Sequence, residues 1–574
     1  MKNIKLYIAA LIICIGLFSC REDYLEVTPN DRLTDEGVWN TTDNADLFLN
    51  DIYEKLPNMN NETEHLDQYT DNSDVGVQWM TGYSSIRTAN VSSENVPRGG
   101  WDIWKWETAY GRIRACNLFI QKVSESDLPD DYKTKRIAEA RFLRALYYHW
   151  IWMAYGGVPV ITDVLDNNSQ GNDIFQPRST DSETFAFIVR ELNEIKDSLP
   201  TTPDGADYGR ATKGAALTLK GWCELFYASP LKNPNGDVKR WQVAATTNKQ
   251  VMGLGVYGLV DDYRNLFLEA NNNSIESIFA RQYGPGKGGQ LEGKLGVTFI
   301  DGTQQSWGNF QPTQELVDEY SMSNGLAINE PGSGYDPQNP YANREKRFYQ
   351  SIVYDGSVFQ NDTIYTRKGV NSKNEIDLGY TSDVTHTGYY ARKRLDESIV
   401  GSDNRSNSTS YQNYMIFRYA EVLLNFAEAE NEVNGPTAEV KAAVDAVRTR
   451  GGNLPSIDAT YSTVDQDLMR EIIHRERRVE LAFEDKRWWD ILRLKIAITM
   501  PDGSPGVLNR PLVGMVIEEN GGNLTYTKTN VSNRLFLEKM YLMPIPQSAL
   551  DRNSAIRAQN GGPDNWVNGQ NPGY

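Results

Sequence analysis

The chain has 574 residues, 40% hydrophobic and 23% charged, the balance of a folded globular protein and not of a disordered one. Its net charge is −18, and no stretch gathers lysines and arginines into a basic face, which excludes a nucleic-acid partner. Aromatic residues make up 11%, including 31 Tyr and 13 Trp, whereas four His and four Cys leave little material for metal or thiol chemistry.

Lys2 and Lys5 precede an apolar run from Leu6 to Phe18. That run is shorter than the ~20 residues that span a bilayer, so residues 1–19 read as a signal peptide. Leu17-Phe18-Ser19-Cys20 resembles the bacterial lipoprotein box, in which the cysteine becomes the lipidated first residue. Cleavage as a plain secretory signal near Ser19 is the alternative. No second apolar run reaches spanning length, so the membrane is expected to be met through the lipid anchor only. Cys116 and Cys223 fall inside helical patterns and are expected as buried, inert thiols, a single disulfide between them being the other option.

Residues 20–40 are polar and acidic and are expected to form a tether, with one body spanning 41–574. Helical periodicity appears over Asp43 to Leu56 and stops at Pro57. Asn58 to Gly100 is rich in Asn, Asp, Ser, Thr and Gly and predicts loop with short elements. Helices are then predicted over Trp104 to Val123, Tyr132 to Tyr155 (stopped by Gly156-Gly157), Asp181 to Leu199 (stopped by Pro200), Thr212 to Ala228 and Val238 to Met252. The spacing predicts a mainly α fold of helical hairpins over 41–252, although no 34-residue repeat signature is present. Between 253 and 411 the chain turns Gly- and Asn-rich with only short strand-like patches, Ile275 to Tyr283, Ser351 to Tyr354 and Thr363 to Thr366. A loop-rich excursion of that length is expected to carry function. From 412 to 574 helices return over Tyr414 to Val433, Thr437 to Arg450 and Val464 to about Leu494, followed by the extended Pro544-Ile545-Pro546 and a Gly/Asn/Pro-rich tail.

Four segments resemble the SusD/RagB outer-membrane lipoproteins: Glu139 to Tyr148 running on to Tyr155-Gly156-Gly157-Val158-Pro159, Phe417 to Ala429, Arg475 to Glu484 with Arg487-Trp488-Trp489-Asp490, and the Pro544-Ile545-Pro546 tail. The resemblance implies tetratricopeptide-like helical hairpins with loop excursions that hold ligand. It also implies a cell-surface, lipid-anchored protein that captures oligosaccharide or polysaccharide and passes it to a SusC-like TonB-dependent barrel. A peptide or glycopeptide receptor of the same architecture is the alternative, and a lipid-anchored glycoside hydrolase a more distant one. The best-matched motifs read as architecture: Arg477 and Glu480, and Glu484 and Arg487, stand three apart, so each pair can meet on a helix surface.

Neutral sugars are gripped by flat aromatic faces with Asp, Asn, Gln or Arg beside them for the hydroxyls. Trp150, Trp152, Trp488 and Trp489 suit helical cores, and Trp104, Trp106, Trp222 and Trp241 look packed. Three tryptophans lie on loops with suitable polar neighbours. Trp79 follows Asp71-Asn72-Ser73-Asp74 and has Tyr83 four residues on; Trp101 follows Arg98-Gly99-Gly100; Trp307 lies in Asp301-Gly302-Thr303-Gln304-Gln305-Ser306-Trp307. Tyr283, after Arg281-Gln282, is a fourth aromatic candidate. The expected ligand residues are therefore Trp79, Trp101, Trp307, Tyr83, Tyr283, Asp71, Asn72 and Arg98, with no cofactor and no metal. Asp71 to Asp74 lacks EF-hand spacing, and no His-Glu-x-x-His, Gly-x-Ser-x-Gly or Gly-Lys-Ser/Thr motif in a suitable context marks a catalytic centre.

Overall fold

The computed structural model describes residues 35–76, 80–97, 105–399 and 408–574. Helices dominate, and they follow one another as a layered array. We label them α1 (Asp35–Trp39), α2 (Thr42–Glu54), α3 (Trp106–Glu125), α4 (Asp130–Tyr155), α5 (Asp181–Ile195), α6 (Lys213–Ala228) and α7 (Val238–Met252). Each long helix packs on the next, α3 on α4, α4 on α5, α5 on α6 and α6 on α7. Their starts are set by side-chain caps: Thr180 and Glu183 form a capping box before α5, Thr212 accepts from the Ala215 N–H, and Asp237 from the Lys239 N–H. Gly156, at φ +74°, ends α4, the central helix, which is buried on nearly every side from Ala138 onward.

The array does not stop at α7. Helix α8 (Tyr419–Asn434) packs on α7 across the whole intervening excursion, and α9 (Ala438–Val447) and α10 (Gln466–Glu480) pack on α8. The excursion is thus an insertion between two consecutive layers. Its base is zipped by an antiparallel pair, Ser277–Arg281 against Tyr414–Arg418. Above that base it has its own apolar core, in which Leu295, Phe310, Phe348, Ile352 and Tyr390 pack with Val479, Ala482 and Phe483 from the end of α10. Met515 and Ile517 join that core from a long antiparallel hairpin, Leu512–Asn520 with Asn523–Ser532, which the sequence pattern did not announce.

Other expectations are revised in detail. The stretch expected as tether already contains α1, and Trp39 is buried against Phe48 and Phe119. The helix expected over Val464 to Leu494 breaks after Glu480 and resumes as α11 (Arg487–Arg493), with Phe483 and Asp485 at positive φ between them. That break separates Glu484 from Arg487, while Arg477, still within α10 beside Glu480, turns to other partners. Arg477 bonds Asp490 and Asn425, Glu484 bonds Arg418 and Lys393, and Arg487 bonds Asp71. Cys116 and Cys223 are buried free thiols. Trp106, Trp150, Trp152, Trp222, Trp241, Trp488 and Trp489 lie in the core, and Trp104 lies outside the described residues. No helix among the described residues is long and apolar enough to cross a membrane.

Charged groups bolt the insertion to the helical frame. Arg418, at the end of the base strand, donates to Glu480 and Glu484 at 2.7 Å each and to Glu276 at 2.8 Å. Arg450 reaches Glu480 at 2.6 Å and Glu276 at 3.0 Å. From the insertion, Arg347 reaches Glu480 at 2.9 Å and Lys393 reaches Glu484 at 2.6 Å. Gly451 makes the approach possible: a Cβ there would lie 2.7 Å from Arg347 Cδ and 2.9 Å from Glu480 Oε2. Burial alone would raise both glutamates, but Arg450, Arg418 and Arg347 hold Glu480 far below the usual carboxylate range, and Arg418 with Lys393 holds Glu484 down at about 2.

Removing one partner from such a lattice leaves the rest buried and uncompensated, at a cost of about 3–5 kcal/mol. Arg418→Met is therefore expected to lower the unfolding free energy by about that amount in urea titration; a loss under about 1 kcal/mol would contradict the role assigned to it. Because Glu484 titrates lower folded than unfolded, its contribution is complete above the ordinary glutamate value of about 4.3 and disappears as pH falls toward about 2. Urea midpoints measured from pH 5 to pH 2.5 should fall steeply, and Glu484→Gln should flatten that slope.

Candidate functional site

The excursion meets the N-terminal loop region through a second short ribbon, Ser73–Val75 paired antiparallel with Phe310–Pro312. Just before Phe310 comes Trp307. Upstream, a two-strand hairpin, Phe299–Ile300 with Thr303–Gln304, turns on Asp301 (φ +47°) and Gly302 (φ +70°). Positive φ at both turn residues matches the twist of the flanking strands.

The backbone around Trp307 is pinned on both sides. Its own N–H donates to the Gly293 carbonyl at 2.9 Å, and the Ser306 hydroxyl donates to the same carbonyl at 3.0 Å. Gly308 sits at φ +57°, where a Cβ would lie 2.3 Å from Thr298 Oγ1 and 2.8 Å from the Asp383 carbonyl oxygen. Asn309 is buried: its Oδ1 accepts from the Gly76 N–H at 2.9 Å, its side-chain amide donates to the Thr63 carbonyl, and its carbonyl accepts from Gln68 at 2.5 Å. Between these fixed neighbours the Trp307 side chain remains 39% exposed. It is an exposed indole on a pinned backbone.

Polar residues lie on the segments bonded to its backbone. Gln304 donates from Nε2 to Asp383 at 3.2 Å, Asp301 is exposed, and Lys294 donates from Nζ to the Asn61 carbonyl while partial burial lowers its pKa. The segments that pin Trp307 thus carry hydrogen-bonding groups of both signs as well as an exposed aromatic residue. The arrangement can bind a polyhydroxyl ligand by stacking and hydrogen bonds. Among the described residues no group of three or more His, Cys, Asp or Glu side chains could hold a metal ion.

Of the other expected ligand residues, Trp79, Arg98 and Trp101 lie outside the described residues. The residues flanking the first of them are described: Gly76 and Met80 both touch Asn309, two positions from Trp307. Asp71, Asn72 and Tyr83 are corrected. Asp71 is 1% exposed and gives both carboxylate oxygens to Arg487, at 2.9 and 3.0 Å, with Arg478 at 3.1 Å. Burial would raise its pKa, but those two guanidiniums hold it well below the usual range. Asn72 accepts from Arg478 at 3.0 Å and donates to Asp67 at 2.8 Å. Tyr83 is buried with its hydroxyl on Asp74. All three serve the interior because their partners come from the C-terminal helices and from the strand pair, which local sequence does not reveal. Tyr283 is half-buried, its hydroxyl donating to Asn58 at 2.8 Å and accepting from the Asn60 N–H at 3.1 Å, and burial pushes its pKa up to about 12.

Asp71→Asn separates the two roles. It is expected to cost about 3–5 kcal/mol in urea unfolding through the unpaired guanidiniums. Ligand retention, measured well below the lowered midpoint, should stay within twofold of the parent protein.

Comparison with known proteins places this architecture. A family model described as "SusD family" matches residues 275–574, more than half of the chain, and one described as "Starch-binding associating with outer membrane" matches residues 23–220. SusD-like protein P2 of Formosa agariphila is 26% identical over 584 aligned positions, covering 98% of this chain and all of the relative. A solved SusD-like protein from Bacteroides fragilis superposes with a TM-score of 0.75 at 27% identity, covering 95% of this chain and 100% of that one. A SusD-like carbohydrate binding protein of the same species gives a TM-score of 0.74 at 27% identity, covering 90% and 99%. With its helical layers, its insertion and its C-terminal motif region all matched, the chain belongs to the SusD family.

Proposed function

We propose that this protein is a surface glycan receptor whose binding centre is Trp307, and that it passes captured oligosaccharide or polysaccharide to a SusC-like TonB-dependent barrel while anchored through lipid on Cys20. The observation that carries the reading is the half-open indole of Trp307 held by a backbone bonded on both sides. A backbone ordered before ligand arrives leaves only the side chain to settle on binding, so more of the contact energy is left for affinity. The flanking Gln304, Asp383 and Lys294 supply donors and acceptors for hydroxyls. Trp79, Trp101 and Arg98 are proposed to extend the same surface, since Gly76 and Met80 on either side of the first loop are seated on Asn309. A B. fragilis relative of the same fold is named a carbohydrate binding protein, which agrees with this chemistry.

The reading is of binding without bond cleavage. Stacking one sugar face removes about 50 Å² of apolar surface from water, worth about 1.2 kcal/mol. Three such contacts reach about 3–4 kcal/mol, which corresponds to around millimolar affinity before hydrogen bonds are added. Capture by the receptor alone is therefore weak for short sugars and improves with chain length.

Trp307→Ala should weaken retention on an immobilised polysaccharide panel that includes laminarin and starch by about five- to tenfold, the loss of about 1.2 kcal/mol. Affinity gel electrophoresis reads this directly. Unchanged mobility on every glycan that retards the parent protein would exclude Trp307 as the centre, and heat release with oligopeptides but not with oligosaccharides would redirect the reading to a peptide receptor.

A further inference from the structure

A second exposed aromatic stands elsewhere on the molecule, and no sequence motif pointed to it. Tyr208 lies in the connection between α5 and α6 and is 56% exposed. It lines two open clefts, one of about 140 Å³ and one of about 230 Å³.

The turn that presents this ring is clamped on each side. Asp207, just before it, takes Lys135 at 2.5 Å and Arg136 and Arg210 at 3.1 Å each. Gly209, just after it, has φ +88°, and a Cβ there would lie 2.6 Å from Gln282 Cγ, so the backbone is seated against the end of the Ser277–Arg281 strand. The ring itself is left in solvent. That is the same construction as at Trp307: a fixed backbone holding an open aromatic face.

The walls indicate what such a face would take. The charged side chains lining the clefts are matched internally. Arg210 bonds Glu139 at 3.1 Å and Asp207, and Arg281 bonds Glu54 at 3.1 Å along with the Leu56 carbonyl. Exposed, uncharged hydrogen-bonding groups remain at the surface: Asn50, Thr201, Thr202, Asn273 and Gln282. Gln282 is already oriented, its Oε1 accepting from Asn273 at 2.9 Å and Asn413 at 2.8 Å. A neutral, polyhydroxyl ligand with an apolar ring face fits this lining, whereas an anion would find each nearby cation already paired.

We propose that Tyr208 and its two clefts form a second saccharide-binding subsite, which engages a distant stretch of the same glycan chain held at Trp307. The inference rests on the glycan reading above. A continuous run of contacts links the two places: Gln282 packs on Gly209, Tyr283 bonds Asn58 and Asn60, Asn61 accepts from Lys294, and Gly293 accepts from the Trp307 N–H. Two weak sites on one polymer act as one strong site, because binding at the first raises the effective concentration at the second.

The test compares parent protein, Tyr208→Ala, Tyr208→Phe and Trp307→Ala on gels containing laminarin, starch, xylan or mannan, and by calorimetry with the trisaccharide of whichever glycan retards the parent. Tyr208→Ala should weaken retention of that polysaccharide at least fivefold while leaving the trisaccharide constant within twofold. Tyr208→Phe, which keeps the ring, should restore retention. A Tyr208→Ala protein retained within twofold of the parent overturns the subsite and leaves Trp307 standing if Trp307→Ala is impaired. Loss with Tyr208→Ala but none with Trp307→Ala upholds a saccharide site at Tyr208 and removes the reading of Trp307. A parent protein retained by none of these glycans overturns both.

Discussion

A buried lattice of carboxylates and guanidiniums around Glu480 is the constraint on which the rest of the architecture hangs. Glu480 and Glu484 stand at the end of α10, Arg418 at the start of α8, Arg450 beyond α9, and Arg347 and Lys393 within the insertion. These groups come from five separate stretches of chain, and all but the half-buried Arg450 lie buried away from water. The lattice closes only if the helical layers and the insertion take one relative placement. Buried charges of this kind add little net stability compared with apolar packing, but breaking any one of them is costly. Their effect is to penalise every alternative docking of the insertion.

That fixed docking explains how loops can hold rings in place. The Ser73–Val75 ribbon pairs with Phe310–Pro312, and Asp71 beside it is locked to Arg478 on α10 and Arg487 on α11. The irregular segments near Trp307 are therefore not free excursions; they are tied to the frame at short intervals by Asn309, Gln68 and Ser306. Tyr208 is held in the same manner by Asp207 and Gly209. In both places the backbone is ordered on folding, so a ligand at either proposed site would meet a ring whose backbone is already set.

Burial also sorts the polar residues by role. Asp71 and Asn72 belong to the same polar loop vocabulary as Gln304 and Asp301, yet the first two are interior and the others reach the surface. A carboxylate buried to 1% exposure between two guanidiniums offers no accessible oxygen to a sugar hydroxyl, whereas a part-exposed side chain with one long bond, such as Gln304 on Asp383, retains capacity. The distinction between support and contact is made by partners and not by residue type.

From the sequence alone, the helical layers, their caps and stops, the buried tryptophans and the loop-rich insertion were all legible, because periodicity and Gly or Pro punctuation are local signals. The exposure of Trp307 was legible too, from its Gly- and Gln-rich surroundings. Pairings across hundreds of residues were not. Arg487 meeting Asp71, Arg418 meeting Glu484, the hairpin from Leu512 to Ser532 and the clefts beside Tyr208 depend on which distant segments fold together. A three-residue spacing suggested Glu484 for Arg487, but two residues at positive φ break the helix there and send the two side chains to different partners. Only the tertiary structure decides such matters, because burial and charge pairing depend on three-dimensional neighbours, to which a linear pattern is blind.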